Sequence, residues 1–156
     1  MTIEQFTEEH RYLNNMYRLE NGVISSPDRV IVPTVEHAYQ AAKFVVKSCR
    51  YEVLNAPSGH LAKRTARYLE QQGEVIRPDW DSVRVDIMRD LVRQKFNNNP
   101  HLTAQLLDTG EERLEEGNNW GDRFWGISPP GSVKGENWLG KILMIVRSEF
   151  RLALTD

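Results

Sequence analysis

Five helix-start signals divide this chain, and they constrain its fold more than any other feature. Pro33-Thr34, Ser58, Pro78-Asp79, Asn99-Pro100 and Asn137 each stand ahead of a stretch with helical patterning. A short polar side chain before a helix can accept from the unpaired first-turn N–H groups, and proline suits the first helical position. The first stretch carries Val35, Ala38, Tyr39, Ala42, Val45, Val46 and Cys49, an apolar repeat of helical period. The second runs from about residue 58 to 72 and stops at Gly73. The third runs from Trp80 to about Phe96, and a short fourth from Asn99 to near Gly110. The last starts at Asn137, read as its cap, and ends near Leu152. Strand formers gather at residues 12–19 and 30–32, with turn residues between them, and a short strand is expected over 113–116. Residues 118–135, rich in Gly, Pro and Trp, read as an ordered loop. The expectation is one compact, helix-rich α+β domain over residues 1–156 with a small N-terminal β portion.

Charge narrows the function classes. Lys and Arg number 20 against 22 Asp and Glu, a net charge of −2. That excludes a generally basic nucleic-acid coat but leaves room for a local basic groove. No apolar run approaches the roughly 18 residues of a membrane helix. The first residues show no basic start and apolar core, so no signal peptide is read. Cys49 is the only cysteine, so no internal disulfide can form, and a reducing, cytoplasmic compartment fits.

Four features carry possible chemistry. On the first helix Glu36, Gln40, Lys43 and Lys47 share one side, and positions seven apart lie nearly in line. A carboxylate there can steer water or stabilise developing positive charge. An amine can protonate a leaving group or form a Schiff base. The plain alternative is a first-turn Glu complementing the helix dipole and a solvated Lys. On the third helix Arg84 and Lys95 project into or beside the apolar arc of Trp80, Val83, Ile87 and Leu91. Such a cation snorkels, pairs with an acid or meets a phosphate. In the loop, Trp120-Gly121-Asp122 and Phe124-Trp125-Gly126 offer indole faces for a base or sugar beside a carboxylate. Residues 135–141, Gly-Glu-Asn-Trp-Leu-Gly-Lys, place free N–H groups at a helix start, which suits phosphate. A capped helix with a close-packing glycine explains that run equally well. His10, His37, His60 and His101 lack paired ligand spacing, so no metal site is expected. Nucleophile-elbow and dinucleotide fingerprints are absent.

Taken together these stretches resemble the NADAR family. The resemblance rests on Tyr12 to Tyr17, Pro33 to Phe44, Met88 to Phe96, Asn99-Pro100, Leu106 to Gly110, the Trp120 and Trp125 loop, and Gly135 to Met144, in the family's order. It implies a compact helix-rich α+β fold. It also implies hydrolysis of an N-glycosidic bond without a cofactor, joining ribose C1 to an exocyclic amine. The substrates implied are ADP-ribose on guanine in nucleic acid, reversing an ADP-ribosyltransferase, or phosphoribosylated intermediates of riboflavin synthesis. A non-catalytic module binding ADP-ribose or an NAD derivative stays open beside them.

Carried onto this chain, the resemblance makes Glu36 and Lys43 the catalytic pair, with Asp122 as a further carboxylate. Lys43 would attack C1 of the opened sugar and expel the base amine, with Glu36 moving protons. Direct hydrolysis through an oxocarbenium-like state, with Lys43 only holding substrate, stands beside it. Trp120, Trp125 and Tyr39 would shape the pocket. Arg84, Lys141 and the helix start at Asn137 would take phosphate oxygens, and Asn14 and Asn15 would bind ribose hydroxyls or order their loop.

Overall fold

A computed structural model describes residues 1–155. In chain order the elements are β1 (Thr2–Ile3), a 3-10 helix (Glu8–Leu13), β2 (Val23–Ile24), β3 (Ile31–Val32), α1 (Val35–Ala42) and α2 (Lys47–Leu54). Then follow α3 (Gly59–Gln71), α4 (Trp80–Asn98), α5 (Pro100–Asp108), β4 (Arg113–Leu114) and α6 (Trp138–Ala153). Among the described residues, strands occur only as short pairs. β1 runs parallel to β4, with Ile3 opposite Leu114, and β2 antiparallel to β3, with Val23 opposite Val32. The fold is helix-rich α+β. The chain divides into two compact units, Asn15–Asn99 and the pairing of Met1–Asn14 with the chain from Pro100 onward.

In the Asn15–Asn99 unit, α1 is buried along its whole length and packs on α2, α3 and α4. Thr34 caps it by accepting from the His37 N–H at 3.1 Å. His37 is itself buried. Its Nδ1 lies 2.7 Å from Thr34 Oγ1, and its Nε2 lies 2.8 Å from the Ala56 carbonyl oxygen. That arrangement suits the neutral ring, and burial holds its pKa below the ordinary histidine value. Ser58 likewise caps α3, accepting from Leu61 N–H at 3.2 Å.

The apolar repeat that predicts one helix through Cys49 is cut in the structure, because α1 ends at Ala42 and α2 begins at Lys47. Tertiary bonds decide this. Phe44 bridges to Ile76, and Val45 N–H donates to the Val75 carbonyl at 3.2 Å. The guanidinium of Arg50 donates to the Phe44 and Val45 carbonyls and forks onto Asp28 at 2.6 and 3.1 Å. This pairing holds the Asp28 carboxyl below its usual range. Residues 12–19 form no strand. They are the end of the 3-10 helix and an irregular run, with Tyr12 and Leu13 buried.

In the other unit, α6 packs on α5 and β4. Its buried stripe is Leu139, Ile142, Leu143 and Val146, the helical repeat that a half-buried helix requires. Arg147 extends the same face and donates to Thr109 Oγ1 and the Glu112 carbonyl, both at 2.8 Å. Tyr12 donates to the Gln105 carbonyl at 3.0 Å, and burial with nearby Asp108 pushes its hydroxyl up to about 12.

Candidate functional site

On α1, Glu36 and Gln40 are one turn apart and form a bonded pair. Gln40 Nε2 donates to Glu36 Oε1 at 2.7 Å. Glu36 is only 6% exposed and Gln40 7%, so this is a carboxylate held inside the protein, not a solvated first-turn acid. A buried carboxylate keeps its charge only with hydrogen-bond donors around it. The Glu36 main-chain N–H donates to the Asn15 carbonyl at 3.2 Å. Asn15 is also buried, and its Nδ2 donates to Met88 Sδ at 3.3 Å. Tyr39 packs its ring against Trp80, centroids 5.1 Å apart.

Lys43 sits at the C-cap of α1 with helical backbone angles, so it stays in line with Glu36 at about 10 Å along the axis. Its Nζ donates to Glu70 Oε1 of α3 at 2.8 Å, with the lysine side chain 13% exposed. Glu70 has no signal in the sequence. It lies 27 residues away, and only the packing of α3 on α1 brings it to the amine. Lys47 leaves this line because the helix breaks before it. Its Nζ sits 5.6 Å from the centre of the Tyr51 ring.

The opposite side of α1 is different. Ala38 and Ala42 line an open cavity of about 320 Å³ with Ile24, Asp86, Asp90 and Leu91. None of the residues expected to act on substrate lines it. Arg84 on α4 is half-buried, with Nε 3.9 Å from Asp81 Oδ1. Lys95 is the larger surprise, at 1% exposure with its Nζ 5.9 Å from the Tyr17 ring centre and 5.3 Å from that of Phe96.

In the Pro100 unit the tryptophan loop is built around Asn118. Its Oδ1 accepts from the Trp120 and Asp122 N–H groups at 3.3 and 3.0 Å, and its Nδ2 donates to the Asp122 carbonyl at 2.8 Å. Asp122 Oδ1 in turn accepts from the Phe124 and Trp125 N–H groups at 3.1 and 3.0 Å. This is a side-chain-closed turn, so one oxygen of Asp122 is committed to shaping the loop. Trp125 is half-buried, edge-on to Phe124 at 4.9 Å. Trp120 is 66% exposed and presents its indole to solvent.

Asn137 does not cap α6 with its side chain. It adopts a left-handed backbone, and its amide bridges to β4, accepting from Glu116 N–H at 3.0 Å and donating to the Leu114 carbonyl at 2.9 Å. Both ends of that amide are thereby committed within the protein, and the Asn137, Trp138 and Leu139 N–H groups donate to the Gly126, Phe124 and Trp125 carbonyls at 3.3, 3.1 and 3.0 Å, so this helix start lacks the free N–H groups expected to take phosphate. Lys141 is exposed, its Nζ 4.6 Å from the centre of the Trp138 ring. Asn14 follows the 3-10 helix as its C-cap. Among the described residues, no three His, Cys, Asp or Glu side chains gather as a metal ion would require, and no helix is long and apolar enough to cross a membrane.

Comparison with known proteins gives these features a setting. The NADAR domain family matches residues 3–151. A riboflavin biosynthesis protein of Vibrio vulnificus is 39% identical over 144 residues, covering 92% of this chain and 36% of that protein. The chain therefore spans little more than a third of that relative. N-glycosidase YbiA of Escherichia coli is 35% identical over 120 residues, covering 77% of this chain and 71% of the relative. The NMR structure of E. coli YbiA superposes with a TM-score of 0.80 at 28% identity, over 100% of this chain and 87% of that one.

Proposed function

The chain belongs to the NADAR domain family, and on that premise we propose that it is an N-glycosidase that cleaves a ribose C1–amine bond, releasing ADP-ribose from guanine bases of nucleic acid. The observation that supports this best is the buried Glu36–Gln40 pair in line with Lys43 on α1. A carboxylate is rarely buried for stability alone, and a buried carboxylate in line with an amine two turns away can flank a substrate bound between them. The relatives' names support glycosidic cleavage as the reaction class.

The substrate bond is an aminal, so its ribose opens to an imine at C1. Lys43 Nζ adds to that carbon, the base amine leaves with a proton, and water hydrolyses the resulting Schiff base to free ADP-ribose. Glu36 takes up the proton released on addition and returns it to the leaving base amine. Lys43 must be neutral to attack, and Glu70, bonded at 2.8 Å, is the group placed to accept its proton. The same bond favours a second reading. A lysine held against a carboxylate suits direct hydrolysis, with Lys43 gripping substrate oxygens and Glu36 facing the oxocarbenium carbon. In the other unit, Trp120 is an exposed indole that can stack on a base. Asp122 shapes its own loop. The reaction needs no cofactor, pairs with an ADP-ribosyltransferase as its reverse, and runs in the cytoplasm.

The test is release of ADP-ribose from a guanine oligonucleotide modified on its base, followed by mass spectrometry. Glu36→Gln and Lys43→Ala are run beside the parent, with a borohydride trap. Loss of release in both variants, with an adduct on Lys43, supports the Schiff-base route. Release without an adduct selects direct hydrolysis. Turnover confined to phosphoribosylated aminopyrimidines assigns the small-molecule substrate instead.

A further inference from the structure

The α1 cluster has a chemical bias that cleavage alone does not use. An ionised Glu36 only accepts hydrogen bonds. Gln40 spends its amide N–H on Glu36 Oε1, which fixes its orientation, because the flipped amide would set oxygen against oxygen. The Gln40 Oε1 that results is buried and meets no donor. Asn15 repeats this pattern. It is bonded to Glu36 through its main-chain carbonyl and uses its Nδ2 on Met88, and its Oδ1 is also buried without a donor. Gln40 and Asn15, both bonded to Glu36, thus each leave one acceptor unmet. Buried acceptors without donors are costly, and a ligand that brings N–H groups removes the cost.

Resting on the glycosidase assignment above, we propose that Gln40 is a specificity-determining residue that, beside Glu36, reads the leaving base by its paired N–H donors. Guanine joined to ribose through its exocyclic amine shows that amine N–H next to a ring N–H. A 6-aminouracil joined in the same way shows the same pair. Adenine and cytosine show an exocyclic N–H next to a bare ring nitrogen, which sets acceptor against acceptor. The two unmet acceptors favour the first pair and repel the second. Recognition of this kind discriminates strongly, because the wrong base leaves buried groups unpaired.

The experiment compares the parent and Gln40→Met, which keeps length and volume but removes the acceptor. Substrates are oligonucleotides carrying ADP-ribose on guanine or on 1-methylguanine, whose ring N–H is replaced. The parent is expected to favour guanine by about 100-fold in kcat/KM. Gln40→Met is expected to lose most of its guanine rate and to bring the two substrates within about threefold. Circular dichroism of the variant checks its fold, and the parent's own preference is independent of any variant. A parent that cleaves both within threefold overturns the proposal. So does a Gln40→Met enzyme that keeps the parent's preference, the result expected if a trapped water satisfies Oε1. If the parent releases nothing from guanine, the nucleic-acid reading fails by itself. The same two proteins on ribosylated 6-aminouracil and its ring-N-methyl counterpart then decide Gln40 separately, by the same criteria.

Discussion

Replacing Gly140 by alanine sets two physical effects against each other. Gly140 lies in the first turn of α6, and Gly→Ala inside a helix is worth about 1 kcal/mol of stabilisation by propensity. A Cβ at this position, however, would meet the Leu114 carbonyl oxygen and the Asn137 side-chain amide. The Leu114 carbonyl belongs to β4, whose pairing with β1 holds it in place. Asn137 cannot withdraw without losing its bonds to Glu116 N–H and the Leu114 carbonyl. Overpacking of this kind costs about 1–3 kcal/mol. The two side-chain bonds add about 1 kcal/mol each if they break. Against a gain of about 1, the net is a loss of about 2–4 kcal/mol. For a chain of this length that lowers Tm by roughly 4–16 °C. Thermal unfolding followed by circular dichroism measures it. Gly140→Ala combined with Asn137→Ala is expected to cost less than the sum of the two, because removing the amide takes away half the clash. A Tm that rises with Gly140→Ala refutes the reasoning, since propensity would then outweigh the contact.

Asn99→Ala is expected to cost about 2–4 kcal/mol in denaturant unfolding, because this fully buried amide serves Asn21 through both its N–H and carbonyl and also the Lys95 carbonyl. Stability is expected to fall on acidification. His37 has its folded pKa lowered by burial, so the stability it contributes is complete above about 6.5 and is lost as pH drops from there towards the folded value. Asp28, lowered by its bonds to Arg50, adds a second loss as pH drops below about 3.9, and Asp28→Asn removes that second step from a stability–pH curve. Trp120→Ala should leave Tm within about 2 °C, since the indole is mostly exposed. It should weaken binding to a modified oligonucleotide by about 1–3 kcal/mol, measured by fluorescence titration, and unchanged affinity removes Trp120 from the substrate surface.

The chain's own punctuation determined most of the helices. Thr34 and Ser58 cap the helices they precede, and Asn99-Pro100 marks the junction of α4 and α5, because capping is a bond between neighbours in sequence. The line from Glu36 to Lys43 was legible for the same reason, since helical period alone sets which residues share a face. Tertiary structure decided what period cannot carry. Arg50, Asp28 and the Phe44–Ile76 bridge cut an apolar repeat that local preference would continue, and residues 12–19, rich in strand formers, form no strand. Glu70 reached Lys43, and Asn137 left its helix for β4, through contacts 27 and 21–23 residues apart. The glycine run before α6 looked equally like a phosphate cradle and a close packing point. Only the carbonyl of Leu114 lying against Gly140 gives that glycine its packing role, because steric fit is a property of two segments at once.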